Sequence, residues 1–263
     1  MKVVVICGDS PRHCQVAREV AETGALSGLI VERRECHVPD PPSGLAPSTE
    51  DLFVRHFKDR AAAEYHFFGA PELPASVDRR LTVTPETLNA SPTHKFLQEI
   101  RPDLIISYGC HKLTAGVLAL GSEAWNIHGG LSPWYRGAIT HFWPSYMLEP
   151  QMTGVTIHET TADIDGGDVV HQVVAPLVRG DGVHDIACRA VYQTAREMSE
   201  LIDVASRRRV EKKNQRTSGK IWTAKDWRPE HLHVIYDLYE NSIVDRQLDG
   251  LFSGRNPMAH RQF

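Results

Sequence analysis

The residues best suited to chemistry in this sequence are an amide and an imidazole two positions apart, Asn126 and His128. On a β-strand, residues i and i+2 point to the same face, so the two side chains stand next to each other. An amide can donate a hydrogen bond to a developing oxyanion, and an imidazole can carry a proton. Gly129 and Gly130 follow and leave room for a ligand. A histidine on a strand is often structural, so the Asn126 and His128 pair does not by itself identify a catalytic site.

A carboxylate-rich turn lies downstream, at residues 163–168, with the sequence Asp-Ile-Asp-Gly-Gly-Asp. We expect it to join two paired strands, 155–158 and 169–174, and to reach the same cleft as His128. A carboxylate beside the imidazole would orient the ring, stabilise the imidazolium and raise its pKa. The sequence therefore places an amide, an imidazole and a carboxylate within reach of one another.

The composition is that of a globular protein. The 263 residues are 41% hydrophobic and 24% charged, with a net charge of −4, which excludes disordered, collagen-like and coiled-coil chains. No apolar run approaches the roughly 18–20 residues of a membrane span, and the first strand is too short for a signal peptide. We therefore expect a cytoplasmic protein without membrane contact. Five cysteines without C-x-x-C spacing favour reduced thiols over a disulfide framework or a zinc site.

Strands alternate with helices along the first 206 residues, which predicts an α/β fold with an open, mostly parallel, Rossmann-like sheet flanked by helices. In such a sheet the loops after Cys7, Tyr108 and His128 should meet at one cleft. Residues 207–263 form a small C-terminal extension for acceptor or dimer contacts, so we place the main domain at 1–206. Strands are predicted at 3–7, 29–32, 81–84, 103–109, 125–128, 155–158 and 169–174, and helices at 11–22, from 49, at 91–101 and at 183–206.

Several motifs together resemble the folate-dependent formyltransferases, a family that includes glycinamide ribonucleotide, methionyl-tRNA and sugar N-formyltransferases. They are Pro-Asp-Leu-Ile-Ile-Ser-Tyr-Gly at 102–109, Asn-Ile-His-Gly-Gly-Leu-Ser-Pro-Trp-Tyr-Arg-Gly at 126–137, Thr-Gly-Val-Thr-Ile at 153–157 and Asp-Ile-Asp-Gly-Gly at 163–167. Two features depart from the family. Its usual Pro-Ser-Leu-Leu-Pro after the histidine is here Gly-Gly-Leu-Ser-Pro, and Pro144 should delay or kink a helix that relatives have there.

The resemblance implies that Asn126, His128 and Asp165 are catalytic and that N10-formyltetrahydrofolate is the formyl donor. An amine would attack the formyl carbon through a tetrahedral intermediate, without a metal or a covalent enzyme intermediate. His128 would handle the proton, Asn126 would bind the oxyanion and Asp165 would support His128. Whether His128 or a relayed water takes the amine proton stays open. The family's folate-binding loops correspond to Cys110, His111, Leu113, Thr161, Ala162, Asp163 and Ile164.

The C-terminal part of the chain narrows the choice of amine acceptor. We expect methionyl-tRNA formyltransferases to have a longer C-terminal domain, glycinamide ribonucleotide enzymes to end sooner, and formyl-tetrahydrofolate hydrolases to begin with a regulatory domain. In size and tail the chain is similar to sugar N-formyltransferases, which act on nucleotide-linked 4-amino-4,6-dideoxy sugars of surface polysaccharides, such as the O-antigen of lipopolysaccharide. GDP-perosamine is favoured over a dTDP-linked sugar. The expected partners are therefore this amino sugar and folate.

Aromatic and cationic side chains near the motifs could hold such an acceptor, because rings stack on nucleobases and arginine pairs with pyrophosphate. Arg136, eight positions beyond His128, is the strongest candidate. The turn before the first helix could bind an anion. The alternative is that the aromatic rings belong to the core or to a dimer contact. The predicted acceptor residues are Gly8, Ser10, Trp134, Tyr135, Arg136 and Trp222, with Tyr236 as a further candidate.

Three other interpretations stay open at this point. The basic run at 207–216 could contact RNA, but it is more typical of a solvated helix end, so nucleic acid is not an expected partner. The chain could be a non-catalytic folate or nucleotide-sugar binding protein with the same scaffold. Apolar residues of the extension predict a helical face that could pack in a homodimer, namely Leu232, Ile235, Tyr236, Tyr239 and Ile243.

Overall fold

The computed structural model describes residues 1–33, 38–161, 163–215 and 220–263. Its strands are β1 (Val3–Gly8), β2 (Leu26–Glu32), β3 (Arg80–Val83), β4 (Leu104–Tyr108), β5 (Glu123–His128), β6 (Arg136–Gly137), β7 (Gly154–Glu159), β8 (Val169–Val174) and β9 (Ile221–Trp222). Seven of them form one sheet in the order β3-β2-β1-β4-β5-β7-β8. The first five are parallel, and β7 and β8 are antiparallel to their neighbours. The predicted fold class, an open and mostly parallel α/β sheet, is confirmed.

The helices are α1 (Pro11–Glu22), α2 (Pro47–Phe68), α3 (Ser91–Ile100), α4 (Ala115–Leu118), α5 (Trp143–Tyr146), α6 (Val183–Arg207) and α7 (Ile243–Leu248). α1 begins as the sequence predicts, with Ser10 extended and Pro11 in the first turn, where its missing N–H costs nothing. Pro144 likewise lies in the first turn of α5, which is only four residues long. No described helix is long and apolar enough to cross a membrane.

Both faces of the sheet are buried, which explains the nearly continuous apolar sequence of its central strands. Val3 and Val5 of β1 join the core cluster that contains the apolar residues of α1 and α6. Val4 and Ile6 point the other way and join the cluster formed with α3 and α4. α6 packs on α1 and α2 along one face of the sheet. Residues at the carboxyl ends of β4 and β5 line the same cavity as residues of α1, α2 and α6.

A third apolar cluster ties the C-terminal extension to the rest of the chain. Its buried members from the extension share the cluster with Leu131 and Trp143, and the two-residue strand β6 pairs with β9. The prediction that this apolar face packs against a second copy is wrong for four of its residues, because they are already buried within the single chain. These residues are Leu232, Ile235, Tyr236 and Ile243. That the protein forms a homodimer stays a prediction.

The last residues of the chain return to the sheet. Gln172 on β8 donates its backbone N–H to His260 O at 2.7 Å, and Gln262 Nε2 donates to Val170 O at 2.7 Å. In the basic run, Lys212 pairs with Glu123 and Glu159, while Arg216 lies outside the described residues. α6 ends at Arg207, and the division of the chain into 1–206 and 207–263 stays a prediction.

Candidate active site

Asn126 is oriented by neighbours on both sides of β5. Ser107 on β4 donates its Oγ–H to Asn126 Oδ1 at 3.0 Å, and these two residues are in register. On the other side, Asn126 Nδ2 lies 3.3 Å from His158 Nε2, again between residues in register. His158 Nδ1 donates to Glu159 O at 2.7 Å, which leaves Nε2 between the Asn126 amide and the Asp165 carboxylate. One N–H of Asn126 remains for a ligand.

Asp165 lies in the turn between β7 and β8 and contacts two histidines. Its Oδ2 is 3.2 Å from His128 Nδ1, and its Oδ1 is 3.4 Å from His158 Nε2. Gly137 donates its backbone N–H to Oδ2 at 2.9 Å. The residue has φ +46°, a left-handed conformation that asparagine and aspartate tolerate better than most residues. The turn thus brings a carboxylate from 37 positions downstream against His128.

His128 is held at both ring nitrogens and is only 6% exposed. Nε2–H donates to Tyr135 O at 2.8 Å, so Nδ1, which faces Asp165, is the nitrogen that gains and loses a proton. Gly130 permits this arrangement, because a Cβ there would lie 2.4 Å from Tyr135 O and 2.7 Å from His128 Nε2. The sequence predicts a carboxylate, and the structure adds a backbone carbonyl as the second support.

The electrostatics of the pair differ from the expectation in one respect. Burial lowers the pKa of His128, and the opposing effect of the Asp165 charge only reduces this shift. The expected increase in the pKa of His128 is therefore wrong, because desolvation outweighs the carboxylate. Burial alone would raise the pKa of Asp165, but hydrogen bonding to His158, the His128 charge and the Gly137 N–H outweigh it and lower the pKa to about 2.

A cavity of about 220 Å³ opens on one side of Asn126 and Asp165. We call it the loop-lined cavity, because the loops after β4 and β7 supply most of its wall. His111 is held in it by the buried Glu32, which accepts hydrogen bonds from His111 N and Nδ1 at 3.0 Å each. Ala162 lies outside the described residues. The other predicted folate residues all line this cavity, namely Cys110, His111, Leu113, Thr161, Asp163 and Ile164.

A second cavity, of about 480 Å³, lies on the other side. We call it the helix-lined cavity, because α1, α2 and α6 form its wall opposite the ends of β4 and β5. Asn126 and Asp165 line both cavities, and His128 lines this one. The three predicted catalytic residues therefore stand where the two cavities meet. The polar residues of the helix-lined cavity include Arg12, His13, His56, Arg60, Glu64, His141 and His184.

The sequence analysis missed these polar residues of the helix-lined cavity. A signal exists on α2, where His56 and Glu64 share the buried helical face with Leu52 and Ala63. Polar residues at apolar positions of an amphipathic helix indicate a cavity or a buried network. Nothing local in the sequence of α1 or α6 marks Arg12 or His184 in the same way.

The predicted acceptor residues do not line either cavity. Tyr135 is 2% exposed and bonds Glu149 through its hydroxyl, so its ring cannot stack on a base. Trp222 stacks on Trp143 at 4.2 Å and has Lys220 Nζ 4.3 Å from its ring centroid. The prediction that these two rings bind acceptor is wrong in this structure, because their faces are already covered.

The remaining predicted acceptor residues have structural contacts. Arg136 donates to Ile164 O at 2.7 Å and so secures the turn that carries Asp165. Trp134 packs on the third apolar cluster. Gly8 and Ser10 are buried and contribute nothing to the cavity walls, although the helix that they precede does.

Comparisons of sequence identify relatives over the middle of the chain. The sequence model of the formyl transferase family matches residues 53–202, more than half of the chain. The bifunctional polymyxin resistance protein ArnA of Wigglesworthia glossinidia brevipalpis is 30% identical over 121 residues, 44% of this chain and 18% of the relative. The methionyl-tRNA formyltransferase of Thermotoga maritima is 34% identical over 136 residues, 50% of this chain and 37% of the relative. The chain spans less than half the length of these curated relatives.

Solved structures share the fold at low sequence identity. A 4-N formyltransferase from Francisella tularensis has a TM-score of 0.55 at 13% identity, covering 86% of this chain and 78% of that one. Phosphoribosylglycinamide formyltransferase from Anaplasma phagocytophilum has 0.56 at 14%, covering 85% and 98%. The formyltransferase PseJ from Anoxybacillus kamchatkensis, solved with UDP-4,6-dideoxy-4-formamido-L-AltNAc and tetrahydrofolate, has 0.51 at 16%, covering 92% and 95%.

Proposed function

The chain belongs to the formyl transferase family, and we propose that it moves a formyl group from N10-formyltetrahydrofolate to an amine. The donor occupies the loop-lined cavity and the acceptor occupies the helix-lined cavity. The observation that carries this proposal is that Asn126 and Asp165 line both cavities. Cys110 also lines both cavities, and a group passed from one ligand to the other would cross beside these three residues.

The loop-lined cavity fits the folate head in its chemistry. A pterin ring is flat and presents donors and acceptors at its edge, and loop backbone groups are suited to satisfy them. Cys110, Leu113 and Thr161 supply such loops here, and Glu32 fixes the first loop through His111. The relative PseJ was solved with tetrahydrofolate, which supports a folate donor.

The proposed reaction is a direct transfer. The amine nitrogen forms a bond to the formyl carbon while the carbonyl electron pair moves to oxygen, and the bond from carbon to N10 then breaks. The free N–H of Asn126 donates to the oxyanion, which it holds best when the amide is already oriented. The proton that the amine loses passes to His128 Nδ1 and then to N10, so atoms and charge balance. His128 thus acts first as base and then as acid.

Three further residues orient or stabilise Asn126 and His128. Asp165 stabilises the proton on His128 Nδ1 from 3.2 Å. His158 and Ser107 fix the rotamer of Asn126 by bonding its amide at both ends. We assign His158 and Ser107 positioning roles, because each bonds the Asn126 amide and would act on the reaction through it.

We propose a nucleotide-linked 4-amino-4,6-dideoxy sugar as the acceptor, with GDP-perosamine as the specific candidate. This acceptor would place the enzyme in the synthesis of a surface polysaccharide such as the O-antigen of lipopolysaccharide. Two structural neighbours support the class, since one is a 4-N formyltransferase and another was solved with a 4-formamido sugar nucleotide. We place the reaction in the cytoplasm, where thiols such as Cys7 and Cys188 stay reduced.

A formyl-transfer assay tests the proposal. Purified protein and N10-formyltetrahydrofolate are offered GDP- and dTDP-linked 4-amino sugars, glycinamide ribonucleotide and methionyl-tRNA in parallel, and tetrahydrofolate release is followed. We expect release that depends on one nucleotide sugar. Release with another amine alone would overturn the sugar acceptor. Release without any amine would identify a hydrolase, and folate binding without release would identify a binding protein.

A further inference from the structure

Two arginines from different helices share one carboxylate in the wall of the helix-lined cavity. Arg12 in the first turn of α1 and Arg60 on α2 both donate to Glu64 Oε1, the latter at 3.1 Å through Nε. We call these three residues the arginine cluster. Pairing two guanidinium groups with one carboxylate leaves a formal charge of +1 in the wall of this cavity.

The exposure of the three side chains shows where this charge is available. Glu64 is 10% exposed, while Arg12 is 23% and Arg60 is 37% exposed. The carboxylate is therefore nearly covered, whereas both arginines keep exposed side-chain surface and line the cavity. Each guanidinium has five donors, so the bonds to Glu64 do not exhaust either of them.

The rest of the cavity wall does not cancel the charge. Among the described lining residues, the carboxylates are Glu64 and Asp165, and Asp165 contacts His128 and His158. Burial lowers the pKa of His56 and of His141 to about 3 each, so both rings are neutral at neutral pH. The cluster therefore keeps its positive charge, because the Asp165 carboxylate contacts the two histidines and not the arginines.

The helix-lined cavity therefore has both positive and negative groups among its lining residues. Near the cluster, Arg12, Arg60 and Glu64 are close enough to influence the pKa of Tyr108 and of Cys188. At the other end, Asp165 faces His128 and offers a negative charge toward an approaching amine. A molecule that carries an amine at one end and an anion at the other matches both ends.

We infer that the arginine cluster is an anion subsite and that the acceptor carries a phosphoryl group, bound between Arg12 and Arg60. Three phosphoryl oxygens can accept hydrogen bonds from two guanidinium groups at once. An acceptor without an anionic group would not satisfy the donors of both arginines. Glu64 holds the two side chains in place and competes with the anion for their donors. The statement that the acceptor is the molecule that carries the anion rests on the proposed function. The existence of an anion subsite does not rest on it.

The experiment measures the affinity of inorganic pyrophosphate, phosphate and acetate by calorimetry, with neither folate nor acceptor present. We expect the wild-type protein to bind pyrophosphate, and Arg12→Gln and Arg60→Gln to weaken binding about tenfold or more. Glu64→Gln should strengthen it several-fold, because the competing carboxylate is gone. Arg55→Gln is the matched control, since Arg55 lies on the same helix, pairs with Asp59 and lines neither cavity.

Each outcome has one meaning. Equal affinity in the wild type, Arg60→Gln and Arg55→Gln overturns the subsite, as does weaker binding in Glu64→Gln with an unchanged melting temperature. Acetate binding as tightly as pyrophosphate makes it a carboxylate site and overturns the phosphoryl assignment. Arg60→Lys keeps a cation and should recover part of the affinity, which separates loss of charge from loss of fold. Pyrophosphate binding that depends on the arginines, without formyl transfer to any amine, would refute the proposed function and leave the subsite standing.

Discussion

The two cavities that meet at Asn126 and Asp165 are built in different ways. The loop-lined cavity takes nearly all of its wall from two short stretches, residues 107–113 and 158–165. The helix-lined cavity takes its wall from α1, α2, the ends of two strands, the loop at 137–142 and α6. One site is local in sequence and the other is assembled from elements up to 179 positions apart, from Arg12 to Val191.

The difference corresponds to the two ligands that we propose. A donor common to a whole family can be held by short loops next to the catalytic residues, because its shape is constant. An acceptor that differs between family members needs side chains that can change without disturbing the catalytic residues. Helix surfaces across the cavity meet this need, since α1, α2 and α6 supply two, three and five lining residues and none of the three predicted catalytic ones. Variation in the helix-lined cavity then alters the acceptor and leaves the chemistry intact.

The largest expected effect is that of removing the group that moves the proton in the proposed reaction. His128→Ala should lower turnover by at least about 100-fold, the usual scale for a general acid and base. The melting temperature and folate binding should stay near wild type, because the ring does not line the loop-lined cavity. His66→Ala, an exposed histidine on α2, is the control. Turnover of His128→Ala close to that of the control would refute the mechanism.

Asp165→Asn should also lower turnover by about 100-fold, because the proton on His128 loses its stabilising charge. The Asp165 charge opposes the effect of burial on the pKa of His128, so its removal should lower that pKa further. NMR titration of the His128 ring measures this shift. Asp168→Asn, on the same turn but bonded to Asn214, should leave the pKa of His128 unchanged. An increase in that pKa in Asp165→Asn would contradict the pairing.

A pair of variants tests whether the two cavities serve different ligands. Glu32→Gln weakens the support of His111 and should raise the KM for the folate donor about tenfold, the cost of a hydrogen bond to a charged group. Arg60→Gln should raise the KM for the acceptor by a similar factor. Each variant should leave the other KM and kcat near wild type. Parallel changes in both KM values in either variant would show that the cavities are not separate sites.

The smallest expected effect near neutral pH is on the free energy of unfolding, and it comes from two histidines that line the helix-lined cavity. His56 and His141 have a folded-state pKa of about 3, below the unfolded value of about 6.5, so protons favour the unfolded chain. Their contribution is complete above about pH 6.5 and should fall by about 1.4 kcal/mol per pH unit for each histidine as pH drops toward 3.

Urea unfolding at pH 7.5, 6 and 5 measures this slope. His141→Gln keeps a donor for Gly154 O, which His141 Nε2 contacts at 3.1 Å, and removes the titration. The variant should therefore lose stability less steeply than the wild type below pH 6.5. An identical slope in both proteins would show that His141 is protonated as easily in the folded state as in the unfolded chain.

The elements and the grouping of Asn126, His128 and Asp165 could be predicted from the sequence. Buried β-branched runs and the Ser10-Pro11 start of α1 are local signals, and the strand and helix positions agree with them within a few residues. The pairing of β7 with β8 around residues 163–168 brought Asp165 to His128 as expected. The placement of Asn126 beside His158 was not foreseen, because it depends on the register between β5 and β7.

The aromatic residues show why the acceptor side was harder to predict. Tyr135, Trp143 and Trp222 have the composition of a base-binding surface, yet they pack on one another and on the C-terminal extension. A ring looks the same in sequence whether it faces a ligand or the core. What distinguishes the two cases is the extension, which folds back over these rings.

The sequence by itself determined the sheet, the Asn126 and His128 pair on β5 and the carboxylate turn, because strand periodicity and short loops act over a few residues. Only the tertiary structure decided that Arg12 and Arg60 meet at Glu64, that Tyr135 gives its carbonyl rather than its ring to the site, and that burial sets the pKa of His128. Each of these depends on which surfaces exclude water together, and that follows from packing between distant elements.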